Sequence, residues 1–291
     1  MKNYWCENDE LLMNNINSSI HRFHQRLSLS SLTLSSFSIP KILHFIWLGP
    51  NELLPKYIKC IETWQIIHSN WTLKLWTDEN IKDLNFDNRD IFDKADNYGM
   101  KSDILRYEIL YREGGIYIDI DYECLQSIEN IINNCTFFAG LSSTLTLEIS
   151  NGIIGSIPGH PLLQMLLSSI KTLQIENITT NQLLKSQVSS FLSNDEGLIF
   201  SSLLKSTIDN EKHMKTIRNT GPGLLTRTLY NIFSDQMLSN EIVIFTKNIF
   251  SPIPNSLNVD LDNIDDKIAL KSKYIDIDTI AIHWHQRSWQ Y

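Results

Sequence analysis

The sequence predicts an α/β protein: a mostly parallel central sheet flanked by helices and preceded by an N-terminal helix. Three observations carry that reading. Short β-prone apolar runs alternate with helical stretches from Ile39 to the end of the chain. Gly and Pro punctuate the junctions between them. The 291 residues are 42% hydrophobic and 20% charged, ordinary values for a chain that buries a full core.

Residues 1–38 are polar, yet Leu11, Leu12, Ile16, Ile20, Phe23 and Leu27 recur near helical spacing, which predicts one amphipathic helix and a Ser-rich connector. The composition changes at Ile39-Pro40, so a domain is expected over 39–291. Lys41 to Leu48 reads as a strand stopped at Gly49-Pro50, and Pro55 opens a helix carrying Tyr57, Ile58, Ile61 and Trp64. Trp71 to Trp76 alternates as a second strand, with Asp78 expected to cap a short helix around Ile81 to Leu84. A helix from about Lys101 to Arg112 stops at Gly114-Gly115, and the strand Ile116 to Tyr122 follows. Further strands are expected at Thr136 to Leu141 and Glu148 to Ile154, and a helix after Pro158-Gly159-His160-Pro161. The stretch 177–219 is polar and reads as a helical insertion. Pro222 starts another helix, and strands at Glu241 to Thr246 and Thr279 to His285 close the chain.

Charge and cysteine usage narrow the function. A net charge of −8, from 25 basic and 33 acidic side chains, lacks the basic footprint of a non-specific nucleic-acid binder. Cys6, Cys60, Cys124 and Cys135 show no metal-ligand spacing and read as reduced thiols. The longest apolar candidate, Leu27 to Leu48, is broken by serines, Pro40, Lys41 and His44, so no transmembrane segment is expected. Glu7, Asp9 and Glu10 stand where a secretory leader would be apolar. The default expectation is a cytoplasmic protein, and an effector exported by an unconventional signal shares these features. Peripheral membrane contact stays open, and nothing in the sequence sets the oligomeric state.

The chemistry concentrates at Asp119-Ile120-Asp121. On a strand Tyr117, Asp119 and Asp121 share one face, while Ile116, Ile118, Ile120 and Tyr122 share the other. Same-face neighbours lie about 6.6 Å apart, so two carboxylates there can address one divalent cation. Buried unpaired charge is costly, which the carboxyl-end crevice of an open α/β sheet would relieve. A half-exposed strand with solvated aspartates is the alternative. On the preceding helix, Asp103 and Arg106 stand three apart on one face, either as an ion pair or as ligand contacts.

Four blocks in order resemble glycosyltransferase family 32, the sugar transferases with a DXD motif, and the first three also resemble the catalytic domains of the large clostridial glucosylating toxins. They are Ile39-Pro40-Lys41-Ile42-Leu43-His44-Phe45-Ile46-Trp47-Leu48-Gly49, Ser102-Asp103-Ile104-Leu105-Arg106-Tyr107, Gly114 to Asp121, and the closing Ala281-Ile282-His283-Trp284-His285-Gln286-Arg287-Ser288-Trp289. In the last, the residues between the first His and Ser-Trp differ from the commoner form, so the resemblance assigns no role to His285. The resemblance implies a GT-A-type nucleotide-sugar fold and a retaining hexosyl transfer from a nucleotide-diphosphate sugar, a UDP-sugar ahead of GDP-mannose, to a hydroxyl acceptor on a glycan, lipid or protein.

It also implies roles. Trp47 would stack on the donor's base with Ile46 beside it, and Asp103 and Arg106 would contact ribose and sugar. Tyr117 and Asp119 would hold the nucleotide side. Asp121, with Asp119 and His283, would ligate Mn2+ or Mg2+, a His ligand tilting the choice to Mn2+. Ser288, like His283, would be a further ligand or a diphosphate contact, and Trp289 would cap the leaving group. Asp119, Asp121, Arg106 and Asn151 form the expected catalytic set, although Asn151 before Gly152 also reads as a plain turn residue. Glu148 and Gly221-Pro222-Gly223 are expected near the sugar and acceptor. Two other readings use the same residues: a phosphatase of the haloacid dehalogenase type with an aspartate nucleophile, and a non-catalytic sugar-nucleotide-binding protein.

Overall fold

The computed structural model describes residues 7–29, 38–95, 97–144, 147–172, 216–234, 241–257 and 259–286. The elements in chain order are α1 (Glu7–Leu29), β1 (Ile42–Ile46), α2 (Pro55–Ile67), β2 (Thr72–Trp76), α3 (Asp78–Ile81), α4 (Arg89–Asp93) and α5 (Tyr98–Glu113). Then come β3 (Gly115–Ile118), β4 (Tyr122–Cys124), α6 (Glu129–Ile132), β5 (Phe137–Leu141), β6 (Ile149–Ser156) and a helix α7 over 161–172. After a short helical segment at 216–219 follow α8 (Pro222–Ser234), β7 (Ile242–Phe245), α9 (Lys247–Phe250), α10 (Ile264–Tyr274) and β8 (Ala281–His283). Most of the stretch 177–219 and the residues Ser288 and Trp289 lie outside the described residues.

The central sheet has the order β2-β1-β3-β6-β5-β7. All its strands run the same way except β6, which is antiparallel to both neighbours. The mostly parallel α/β sheet is therefore as the sequence predicts. Strand alternation sorts side chains onto two cores. Ile116 and Ile118, Phe138, Val243 and Phe245 face one core, with Trp64 of α2 and Ile132 of α6. Tyr117, Phe137, Ala139, Ile242 and Ile244 face the other, with Leu105 and Leu110 of α5, Leu163 of α7 and Leu225 of α8. The N-terminal helix joins this packing: Leu12 and Ile16 are buried in the second core, and Phe23 meets Phe245 edge to face at 5.2 Å. Cys60, Cys124 and Cys135 are free and buried.

Two local expectations change. The cap of α3 is Thr77, whose side chain and that of Asn80 form a reciprocal capping box; Asp78 lies inside the first turn and accepts the Gly49 amide at 2.6 Å. The strand expected from Ile116 to Tyr122 is broken. β3 ends at Ile118, residues 119–121 make a turn, and β4 leaves the main sheet to pair antiparallel with β8. The Gly114-Gly115 stop is as predicted: Gly114 caps α5 at φ 64°, a left-handed conformation that a side chain resists.

Candidate active site

Strand β1 leads through α2 to β2 on one side, whereas the chain returns to β3 on the other side of β1. That reversal opens a crevice at the carboxyl ends of β1 and β3, where open α/β sheets bind ligands. A cleft of about 450 Å³ lies there. Ile46 and Trp47 enter it from the end of β1, Asp119 from the end of β3, Asp103 and Arg106 from α5, and His283 from β8.

The two aspartates of the motif sit on the turn rather than along one strand, so their proximity owes nothing to a two-residue strand repeat. The alternation on either side still holds: Ile116, Ile118, Ile120 and Tyr122 all face the same core. Asp119 continues the sheet ladder, its amide donating to Gly152 O at 2.7 Å, and its Oδ1 accepts the Tyr117 hydroxyl at 2.6 Å. Asp121 is fixed by the C-terminal segment. Its carbonyl accepts the Trp284 amide at 3.1 Å, and its Oδ2 accepts the Gln286 amide at 2.7 Å. Between those two amides His285 takes φ 52°, an uncommon left-handed conformation that turns the Gln286 N–H back towards Asp121. The other oxygen, Oδ1, lies 3.3 Å from His283 Nε2.

Arg106 is the buried cation of the cleft. Its Nη1 donates to Asn151 O at 2.7 Å and stands 3.3 Å from Asp119 Oδ1, while its Nη2 reaches Asp103 Oδ1 at 3.1 Å and Ser102 Oγ at 3.1 Å. Its guanidinium lies 4.3 Å from the Tyr117 ring centre. Burial raises the Asp119 carboxyl despite the Arg106 charge, with Asp121 adding to the rise. For Asp121 burial pulls upward too, but the His283 ring and the Gln286 amide outweigh it and hold the carboxyl low. Burial lowers His283, and Asp121 more than reverses this, so the imidazole is raised.

Asn151 lies on β6, buried, and donates to Asp103 Oδ1 at 2.8 Å, a placement the plain turn reading does not provide. Trp47 lines the cleft, its Nε1 donating to Asn51 O at 2.7 Å. Glu148 and Pro222 line it as well. His285 accepts or donates at Nε2 with Ser143 Oγ, 3.0 Å away, and its ring centre is 4.0 Å from that of His283. Thr220, Gln286 and Gly152 were not singled out by the sequence. A backbone amide and a residue whose hydroxyl reaches another element carry no sequence signature, though Gly152 beside Asn151 was visible.

Asp119, Asp121 and His283 each offer a ligand atom, and the three atoms lie within 4.8 Å of one another. The donor set fits a divalent cation: two carboxylates and an imidazole, with one Asp121 oxygen already held by an amide and the other facing His283. No helix among the described residues is long and apolar enough to cross a membrane.

Residues 55–138 match the family model of the glycosyltransferase sugar-binding region containing DXD motif. An inositol phosphoceramide mannosyltransferase of Schizosaccharomyces pombe is 32% identical over 132 residues, 44% of this chain and 36% of the relative. An uncharacterized glycosyltransferase of Acanthamoeba polyphaga mimivirus is 28% identical over 170 residues, 54% of this chain and 67% of the relative. The chain thus spans about a third of the yeast relative's length. Among solved structures, the catalytic domain of alpha-toxin from Clostridium novyi superposes with a TM-score of 0.49 at 10% identity, over 90% of this chain and 81% of that one. Residues 55–138, the stretch that holds Asp119-Ile120-Asp121, are thus similar to the glycosyltransferase sugar-binding region containing DXD motif.

Proposed function

We propose that this chain transfers a hexose or N-acetylhexosamine from a nucleotide-diphosphate sugar to a hydroxyl acceptor, with the help of a divalent cation and with retention of anomeric configuration. The observation that carries the reading is the Asp119–Asp121–His283 cluster beside the buried Arg106 in the switch-point cleft. When bound, Mn2+ or Mg2+ supplies positive charge against the departing diphosphate, and the imidazole favours Mn2+.

The side chains account for the rest. Arg106 is pre-oriented by Ser102, Asn151 and Asp103, so its charge faces the cleft without reorganising when negative charge develops there. Tyr117 and Asp119 are joined by a hydrogen bond and share the nucleotide side with Trp47, whose indole is the aromatic surface for the base. Asn151 holds Asp103 and fixes Arg106 through its own carbonyl, which suits a role in orienting the sugar. Ser288 and Trp289 follow the Gln286 amide by two and three residues and would close over the donor, excluding water.

The test is a donor panel of UDP-glucose, UDP-N-acetylglucosamine, UDP-galactose and GDP-mannose with Mn2+, read as nucleoside diphosphate released; GDP-mannose is included because the yeast relative is a mannosyltransferase. A UDP-sugar is expected to be cleaved, with loss of release on chelation. Cleavage of phosphomonoesters instead would replace the transferase reading with a phosphatase, and nucleotide-sugar binding without release would replace it with a non-catalytic binder.

A further inference from the structure

Asp103 is more completely engaged by the protein than a ligand contact needs to be. It is 5% exposed, and three donors from three parts of the chain converge on it. Asn151 of β6 donates to Oδ1 at 2.8 Å, where Arg106 also stands at 3.1 Å, and Thr220 Oγ1 lies 2.9 Å from Oδ2, its one proton shared between that oxygen and Thr216 O at 3.1 Å. A carboxylate oxygen has two lone pairs, so Oδ1 is filled and Oδ2 keeps one acceptor position.

Thr220 is fully buried and is not itself a cleft residue, but its segment is: Thr216, Ile217 and Pro222 line the same space as Asp103 and Arg106. A second bond ties this segment to the same helix. Asn97, the N-cap of α5, accepts the Met100 amide with Oδ1 and donates from Nδ2 to Thr216 Oγ1 at 2.9 Å. The segment itself is wound tightly, Thr216 O accepting the amides of Thr220 at 3.1 Å and Gly221 at 2.8 Å. Two anchors six residues apart on α5 therefore grip one short turn.

We infer that the segment 216–222 is a wall of the donor cleft set in place by α5, and that Thr220 is a positioning residue acting through Asp103 on Arg106. The inference deepens the transferase reading and rests on it for its kinetic consequence. Removing the Thr220 hydroxyl leaves Asp103 with one fewer donor and frees it to shift with Arg106. A displacement of about 1 Å at such a group costs up to about 100-fold in rate.

The test compares Thr220→Val, close in shape but without the hydroxyl, with Thr220→Ser, which keeps it. Donor cleavage is measured well below each variant's melting temperature, alongside UDP binding in Mn2+ by titration calorimetry. The expected result is kcat reduced about tenfold or more in Thr220→Val, with UDP affinity within twofold of wild type and kcat restored within threefold in Thr220→Ser. A stable Thr220→Val protein with wild-type kcat overturns the positioning role, as does a loss that serine does not restore. Amide hydrogen exchange needs no turnover: Asp103→Ala is expected to raise exchange across 216–222, and unchanged exchange there overturns the wall. A wild-type chain that cleaves no donor refutes both the transferase reading and the kinetic role of Thr220, while the exchange result still decides whether α5 sets the wall.

Discussion

Replacing Gly152 by alanine would move Asp119 without altering any ligand atom. A Cβ at Gly152 would lie 2.8 Å from Asp119 Oδ2 and 3.1 Å from Cε2 of Tyr122. Ordinary carbon–oxygen contact begins near 3.4 Å, so about half an ångström must be found. Neither neighbour gives easily. Tyr122 is fully buried, and Asp119 is held on its far side by the Tyr117 hydroxyl at 2.6 Å and Arg106 at 3.3 Å. Its amide is bonded to Gly152 itself. Disturbing the support of a metal ligand typically costs 10- to 100-fold in affinity, or about 1.4–2.8 kcal/mol. Overpacking adds about 1–3 kcal/mol of lost stability. Mn2+ binding followed by calorimetry or electron paramagnetic resonance should show the weaker site, and thermal melts the lower stability. A Gly152→Ala protein that binds Mn2+ within twofold of wild type would refute the reasoning that Asp119 is held against this glycine to serve a cation.

Three other outcomes follow, two from the same structure and the last from the sequence resemblance of the tail. His44 and His160 are pushed down to about 4 by burial, and each uses Nδ1 to accept an N–H, from Trp76 at 3.2 Å and Leu162 at 3.1 Å respectively. Between about pH 6.5 and 4 the unfolded chain gains protons that the folded chain refuses, so stability should be complete above that window and fall as pH drops through it, by on the order of 3 kcal/mol per histidine; urea denaturation across the window checks this, and His160→Gln should flatten the slope. His283→Gln should weaken Mn2+ binding about tenfold or more and narrow the preference for Mn2+ over Mg2+, because it removes the nitrogen ligand; an unchanged preference would take His283 out of the metal site. Deleting residues 288–291 should lower donor turnover, and turnover equal to the full chain would remove the tail from the account.

Much of the fold was readable because one signal governs each element. Pro55 starts α2, Gly114 ends α5, and the apolar runs around Phe45, Phe138 and Val243 mark strands that the sheet then buries on both faces. The antiparallel run of β6 was not readable, since an apolar strand carries no mark of its direction. The break after Ile118 was also hidden: Asp119 to Tyr122 alternates like a strand, and only the pairing of β4 with β8 shows that the chain turns. That pairing matters for the site, because it brings His283 and the Gln286 amide to Asp121 across a sequence gap no local pattern spans. The short helices α4, α6 and α9 and the longer α10 escaped for a different reason. Helix α10 buries no side chain and so lacks an apolar stripe, and the others are too short to show a period.

The central claim is that the Asp119–Asp121–His283 cluster holds a divalent cation used in cleaving a nucleotide-diphosphate sugar. The most direct measurement is nucleoside diphosphate release from the best donor of the panel, titrated with Mn2+ in the wild type and in Asp121→Asn, which keeps the shape and the amide contact but loses the charge. The account predicts saturable Mn2+ dependence in the wild type and a loss of at least about 100-fold in the variant. Release that ignores Mn2+, or that survives in Asp121→Asn, would contradict it.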